Sequence, residues 1–322
     1  MYELLKKLTQ AYGPSANEKL VGDIIEEEIK PYVDEIRKDL IGNLLIVKKG
    51  GNKKVLIIAP MDQCCFLSTY VEDNGRIRFS VLSPIEPLEI VNNNVIFENN
   101  IIGVIKTEES NSPIKMRDLY INVGEKDDKS VKEKLPLGAS AVLKGNFHEN
   151  DLNIMSPALD GRTACLCLIE VIKSLPKNVG TDLYFLFSAQ NKLGARGSKI
   201  IAQSIKPNIA ISIDSASCKE HDYSGKGPVI RLRDKNMVSH PNLIKIFKDI
   251  AKNYKLPLQE QIAMNDISDV DGIVEAGIDA EVLSVALPII NYKSSNEIIY
   301  KSDIENLKKL LDAFVRESKV KL

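Results

Sequence analysis

The 322-residue sequence predicts an α/β protein built on a layered sheet, with a small all-β unit inserted into it. Three observations carry this expectation. From about residue 161 to the C-terminus, short apolar runs alternate with segments of helical period, the order that produces a sheet covered by helices. The run VLIIA at 55–59 is continuously apolar, as strands buried on both faces are. Between about Leu67 and Pro157 the texture changes to short β-like runs broken by Asn74-Gly75, Ser83-Pro84, Asn92 to Asn94 and Asn99-Asn100, with no long helical period.

Each element follows from its own pattern. Residues 2–13 and 17–33 read as amphipathic helices that cap the sheet; in the second, Leu20, Ile24, Ile25 and Ile29 keep helical spacing and Pro31 sits near the end. A pair of strands follows at 43–47 and 54–59, separated by Gly50-Gly51, with the second strand central. After the inserted segment come a helix at 161–175, a strand at 182–187, a helix at 195–205 and a strand at 209–213. The chain continues with a strand at 228–232, a helix at 242–254, a strand at 258–264, a helix at 269–277 and the strand EVLSVAL at 281–287. The closing helix puts Ile304, Leu307, Leu311, Phe314 and Val315 on one face. The expected division is 1–66 plus 158–322 for the α/β unit and 67–157 for the insertion.

Charge excludes whole-chain electrostatic partners. With 43 Lys plus Arg against 44 Asp plus Glu, there is no basic excess to neutralise a nucleic acid backbone or bind an anionic membrane. No apolar run reaches a membrane span and the amphipathic N-terminus lacks a signal-type core, so a cytoplasmic location is expected. Five cysteines, Cys64, Cys65, Cys165, Cys167 and Cys218, lack a C-x-x-C spacing and fit reduced thiols; Cys165 and Cys167 sit in the apolar run ACLCLIEVI as core residues.

In open α/β sheets the usable crevice lies beyond the carboxyl ends of the strands. The residues there are Pro60-Met61-Asp62, Gln190-Asn191-Lys192, Asp214, and Pro288 to Lys293, with Asp160 opening the helix after the insertion. Several carboxylates from separate segments suit a metal or acid/base site; capping of helices and turns accounts for Asp160 and Asp214 equally well. Cys64, Cys65 and Cys218 fall just after Asp62 and Asp214, which keeps a rebuilt thiolate site open, although consecutive Cys64 and Cys65 point to opposite sides of a strand and only one can face the crevice.

The segments APMD at 59–62, SPALDGR at 156–162, SAQNKLGARGS at 188–198, SIDSAS at 212–217 and GKGPVI at 225–230 resemble the glutamyl aminopeptidase, tetrahedral aminopeptidase and cellulase M family of dinuclear metallopeptidases. The resemblance runs almost end to end, with DLYINVG at 118–124 in the insertion. It implies a zinc-peptidase-like mixed sheet flanked by helices, and an inserted β-barrel used for dimerisation and cage assembly. It also implies two divalent ions, such as zinc or cobalt, on five ligands with a glutamate base. Position by position, Asp62, Asp160 and Asp214 match, whereas Pro60 and Lys293 stand where histidine ligands are expected, Lys192 where a glutamate ligand is, and Asn191 where the base is. None of His148, His221 and His240 falls at a ligand position.

These replacements carry a sign. A divalent ion about 4 Å from one lysine ammonium is disfavoured by roughly 8 kcal/mol at an effective dielectric near 20. Lys192 and Lys293 are therefore expected to be internal counterions to Asp160 and Asp214, with no cofactor and no general base for hydrolysis. The expectation is a non-catalytic subunit: a homo-oligomer through the β insertion, binding a peptide or an active paralogous peptidase. The alternatives are a working aminopeptidase or other hydrolase with an unorthodox site, and a cage component without a ligand.

Overall fold

In the computed structural model, residues 1–33, 35–108, 113–264 and 266–321 are described; Asp34, Asn265, Leu322 and residues 109–112 of the expected insertion lie outside the described residues. The chain opens with α1 (Tyr2–Gln10) and α2 (Lys19–Ile29), then β1 (Ile36–Lys38), β2 (Leu44–Lys48) and β3 (Lys54–Pro60). Next come β4 (Cys65–Val71), β5 (Ile77–Val81), α3 (Pro87–Ile90), β6 (Asn94–Phe97), β7 (Ile102–Thr107), β8 (Leu119–Asn122), α4 (Asp128–Lys134) and β9 (Ser140–Leu143). A short hairpin, β10 (His148–Glu149) and β11 (Asn153–Ser156), leads to α5 (Leu159–Lys173), β12 (Asp182–Ser188), α6 (Arg196–Ile205) and β13 (Ile209–Ser217). The rest is β14 (Val229–Arg233), α7 (Pro241–Asn253), β15 (Gln259–Ile262), α8 (Asp269–Glu275), β16 (Glu281–Ile289), β17 (Glu297–Tyr300) and α9 (Lys301–Lys321).

An eight-stranded mixed sheet forms the centre, in the order β1-β2-β12-β3-β13-β16-β14-β15. β12, β3, β13 and β16 run parallel, and β2 and β14 flank them antiparallel. The strands at 43–47 and 54–59 do not pair with each other as expected, because β12 lies between them and hydrogen-bonds to both. Strand alternation sends Val55, Ile57, Ala59, Leu183, Phe185 and Phe187 to one face, under α1, α2, α5, α7 and α9. Leu56, Ile58, Tyr184 and Leu186 point to the other face, under α6 and α8. Both faces of the central strands are therefore dry, which is why VLIIA has no polar alternation.

Six strands close into a separate antiparallel barrel, β4-β5-β8-β7-β6-β9, filled by Phe66, Ile77, Val95, Phe97, Ile105, Ile121 and Ala141. The barrel strands run from Cys65 to Leu143, while the β10–β11 hairpin, inside the expected insertion by number, pairs instead with β17. β13 also continues past its expected end at 213 to Ser217, because its parallel register with β16 runs on to Ser217 opposite Ile289. Asp214 thus lies within a buried strand and not beyond it. No helix among the described residues is long and apolar enough to cross a membrane.

Candidate functional site

The carboxyl ends of β3, β12, β13 and β16 bring the expected residues together beneath the barrel. β3 ends at Pro60, whose carbonyl accepts a hydrogen bond from the Cys165 thiol at 3.2 Å; its ring supplies no donor atom to the crevice. Two residues on, the buried Asp62 accepts from the Ser15 hydroxyl at 2.5 Å and from the Lys192 amide at 2.8 Å, and so ties the N-terminal segment to the turn after β12.

Asp160 sits in a kink and not in a regular helical first turn: Ala158 has φ 58°, and Gly161 has φ 82°. Gly161 is required there, since a Cβ would lie 2.9 Å from the Pro60 carbonyl oxygen in a backbone region that L side chains avoid. The kink turns the Asp160 side chain toward Lys192, which is carried on a short turn between left-handed Gln190 (φ 56°) and Gly194 (φ 83°). Lys192 Nζ donates to Asp160 Oδ2 at 2.8 Å, and the two side chains are only 7% and 6% exposed, so this is a buried ion pair. Burial pushes the Asp160 carboxyl up, but Lys192 and then Lys293 outweigh it and hold the pKa below its ordinary value. Burial alone would lower the Lys192 pKa; Asp160, Asp62 and Asp214 together raise it, so the ammonium form is fixed.

The second half of the expected counterion scheme is different. Asp214 pairs with Arg231 on β14 (Nη1 to Oδ2, 3.4 Å) and accepts from the Ser215 amide at 2.8 Å; Lys293 forms no ion pair with it. Arg231 is fully buried and also reaches Asp234 at 3.4 Å and Asp266 at 3.0 Å. Burial opposes its charge, and Asp214, Asp234 and Asp266 restore it, leaving its pKa above normal. Asp214 is pushed up by burial, with Arg231 and Lys192 acting against the rise. Sequence reading missed Arg231; the available signal was a charged residue inside the otherwise apolar strand run PVIRL.

Lys293 instead follows β16 in a left-handed conformation, φ 64°. Its amide donates to Glu297 Oε1 at 2.7 Å, while Glu297 Oε2 accepts the Asp160 amide at 3.0 Å. One buried carboxyl therefore sets the backbone of two site residues. Burial, reinforced by Asp160, raises the Glu297 pKa to about 8. Lys293 Nζ donates to the Pro84 carbonyl on the barrel at 3.1 Å. Asn191 is buried beside Lys192, and both line a cavity of about 360 Å³ together with Asp214, Arg231, Lys293 and the barrel segment that includes Ser83 to Glu86.

The remaining candidates lie apart or are inert. Cys64 lines a small recess with Asp160 and Lys293, but burial raises its thiol to about 12, so it holds its proton at neutral pH. Cys65, Cys165 and Cys167 are buried, and Cys218 is half-buried with its thiol pKa also raised. His221 stacks edge-on against Tyr223 with centroids 4.6 Å apart, His240 faces Glu281 at 3.6 Å and His148 is exposed on β10; none lines the cavity. Among the described residues, no group of three or more His, Cys, Asp or Glu is arranged to hold a metal ion.

With this geometry in hand, known proteins offer clear parallels. The family model for M42 glutamyl aminopeptidases matches residues 42–310. A protein of Acetivibrio thermocellus that carries a provisional aminopeptidase name is 34% identical over 97% of both chains. Among solved structures, the Pyrococcus horikoshii TET1 peptidase, described as assembling into a tetrahedron or a large octahedral shell, is 29% identical with TM-score 0.88, covering 98% of this chain and 99% of its own. An aminopeptidase of the archaeon Desulfurococcus kamchatkensis is 25% identical with TM-score 0.91, covering 98% of this chain and 94% of its own.

Proposed function

The chain belongs to the M42 glutamyl aminopeptidase family, and from that premise we propose that it is a member whose metal positions are filled by its own side chains and which acts as a non-catalytic binding or assembly subunit. The observation that carries this reading is the buried Lys192–Asp160 ion pair, 2.8 Å between Nζ and Oδ2. An ammonium hydrogen-bonded to the carboxylate that would bridge two cations takes up the oxygen those cations need, and it repels them.

The donor set does not fit the two ions that the family implies. Pro60 has no side-chain donor, and Lys192 and Lys293 present ammonium groups. Asp214 is already engaged by Arg231, itself shared with Asp234 and Asp266. Asn191, an amide, cannot take a proton from water as a glutamate base does. The relatives' assemblies support a homo-oligomer, and the barrel is the surface that the family resemblance assigns to that contact.

The relatives carry aminopeptidase names, so the competing reading is a working enzyme, and activity is the discriminating measurement. Aminoacyl-p-nitroanilide release is assayed with added zinc or cobalt for the unmodified chain and for the fourfold variant Pro60→His, Asn191→Glu, Lys192→Glu and Lys293→His. Zinc titration by calorimetry accompanies both. Turnover, or stoichiometric micromolar zinc binding at Asp160 and Asp214, in the unmodified chain defeats the proposal; activity confined to the fourfold variant supports it.

A further inference from the structure

We propose that the open edge of the central sheet at β15 docks an extended, acidic peptide segment of another protein, which adds a strand there. The inference is independent of the metal question, since the edge shares no residue with the crevice. β15 is last in the sheet order, and among the described residues no strand lies beyond it. The Gln259 amide donates to the Pro228 carbonyl at 2.9 Å, and the Ala263 amide, just past the strand, to the Arg233 carbonyl at 2.8 Å. Odd-numbered residues therefore face β14, and alternation turns the amide and carbonyl of Glu260 and Ile262 outward. Outward backbone groups on an edge are a template for a further strand.

The surface beside this edge is shaped for side chains. α7 ends with Lys255 at φ 54°, and the Leu256 amide donates back to the Ala251 carbonyl at 2.8 Å, a left-handed cap that folds the chain against its own helix. Ala251, Leu256 and Leu258 thereby floor a recess of about 240 Å³, with Lys248 and Glu260, paired at 2.5 Å, on its rim. Ile262 lies on the same side of the strand as Glu260 and is 63% exposed.

Charge decides the occupant. Residues 241–262 carry four lysines, Lys245, Lys248, Lys252 and Lys255, against two acids, Asp249 and Glu260, a net charge of plus two. Lys245 pairs with Asp249 and Lys248 with Glu260, whereas Lys252 and Lys255 are exposed and form no ion pair among the described residues. A second copy of this chain is disfavoured. An antiparallel edge-to-edge pair has its two-fold axis normal to the sheet, which sets both α7 helices on one side and opposes plus two with plus two. An extended segment that offers an apolar side chain to the recess and carboxylates to Lys252 and Lys255 matches floor and rim together.

The test uses the full-length protein and a fluorescein-labelled, C-amidated hexapeptide of alternating aspartate and valine, its N-terminus acetylated to exclude capture of a free amine. Fluorescence anisotropy at low ionic strength should show saturable, one-to-one, sub-millimolar binding. Methylating the peptide's backbone nitrogens should weaken it about tenfold, because the strand bonds are lost. Ile262→Lys should weaken it about tenfold, and Lys252→Glu with Lys255→Glu about fivefold. Lys132→Ala, on α4 of the barrel where the lysine pairs with Asp128, should leave it unchanged. Absence of binding, equal binding of a lysine–valine peptide, or undiminished binding in an Ile262→Lys protein shown by circular dichroism to be folded overturns the proposal. Sedimentation velocity completes the test: a smaller assembly in Ile262→Lys means that a second copy covers the edge, which overturns it too. None of these readouts depends on metal or on turnover, so their failure leaves the reading of the crevice untouched.

Discussion

Replacing Lys192 with methionine removes the ammonium while keeping most of the stem that packs in the site. At 2.8 Å and an effective dielectric near 20, the gross attraction to Asp160 is about 6 kcal/mol. Desolvation of both groups offsets part of this, and deleting one member of a buried pair typically costs about 3–5 kcal/mol. The exposure of 7% and 6% decides for this range over the ~0–1 kcal/mol of a surface pair. At about 2 °C per kcal/mol for a chain of this size, the melting temperature should fall by roughly 6–10 °C. The loss should also depend on pH. Asp160 has a depressed folded pKa, so its contribution in the unmodified chain is complete above the ordinary carboxylate value of 3.8 and is lost as pH falls through the lower folded value. Lys192 is raised above 10.5, so the pair is intact across neutral pH and fails only in strong alkali. Without the ammonium, burial drives Asp160 upward, and its deficit grows as pH rises above 3.8. Urea denaturation of both proteins at pH 7.5 and pH 4 should therefore give a larger difference at pH 7.5. The double variant with Asp160→Asn should recover at least half of the loss. A loss under about 1 kcal/mol, or one equal at both pH values, refutes the buried-pair argument.

Three further outcomes follow from the same site. Arg231→Leu strands Asp214, Asp234 and Asp266 and should destabilise the chain by at least about 3 kcal/mol in denaturant melts, even though it adds apolar surface. Glu297, with a folded value of about 8 against 4.5, binds a proton in the native state that the unfolded chain releases, so its contribution falls as pH rises from about 4.5 to 8; Glu297→Gln should flatten that part of the stability profile. With Cys64, Cys65, Cys165 and Cys167 buried and the thiol pKa values raised, Ellman's reagent at pH 8 should modify at most Cys218 in the native protein and all five thiols after unfolding.

Much of the fold was legible because its signals are local. Uninterrupted apolar runs marked the central strands, and the change to turn-broken short runs marked the barrel. Strand neighbours were less accessible: β12 enters between β2 and β3 from more than a hundred residues away, and nothing in the Gly50-Gly51 spacing announces it. At the site, position alone placed Asp62, Asp160, Asn191, Lys192 and Asp214 around one crevice. The choice of ion partner was not readable, since it depends on side-chain reach across paired strands. Arg231 sits on β14, two strands from β13 in the sheet order, and reaches across β16 to Asp214, whereas Lys293 turns toward the barrel carbonyl of Pro84. Glu18, whose carboxylate accepts the Gln190 amide at 2.8 Å, joined the site only through tertiary folding.

The cavity has walls from the barrel segment and from the end of the central sheet, with Pro84, Ile85 and Glu86 on one side and Lys192, Asp214 and Lys293 on the other. A guest seated there touches both, so its binding energy acts as a strut that resists any rocking of one unit against the other. By thermodynamic reciprocity, neighbouring copies that brace the barrel in an assembly would tighten the grip on the guest by the same factor by which the guest favours assembly.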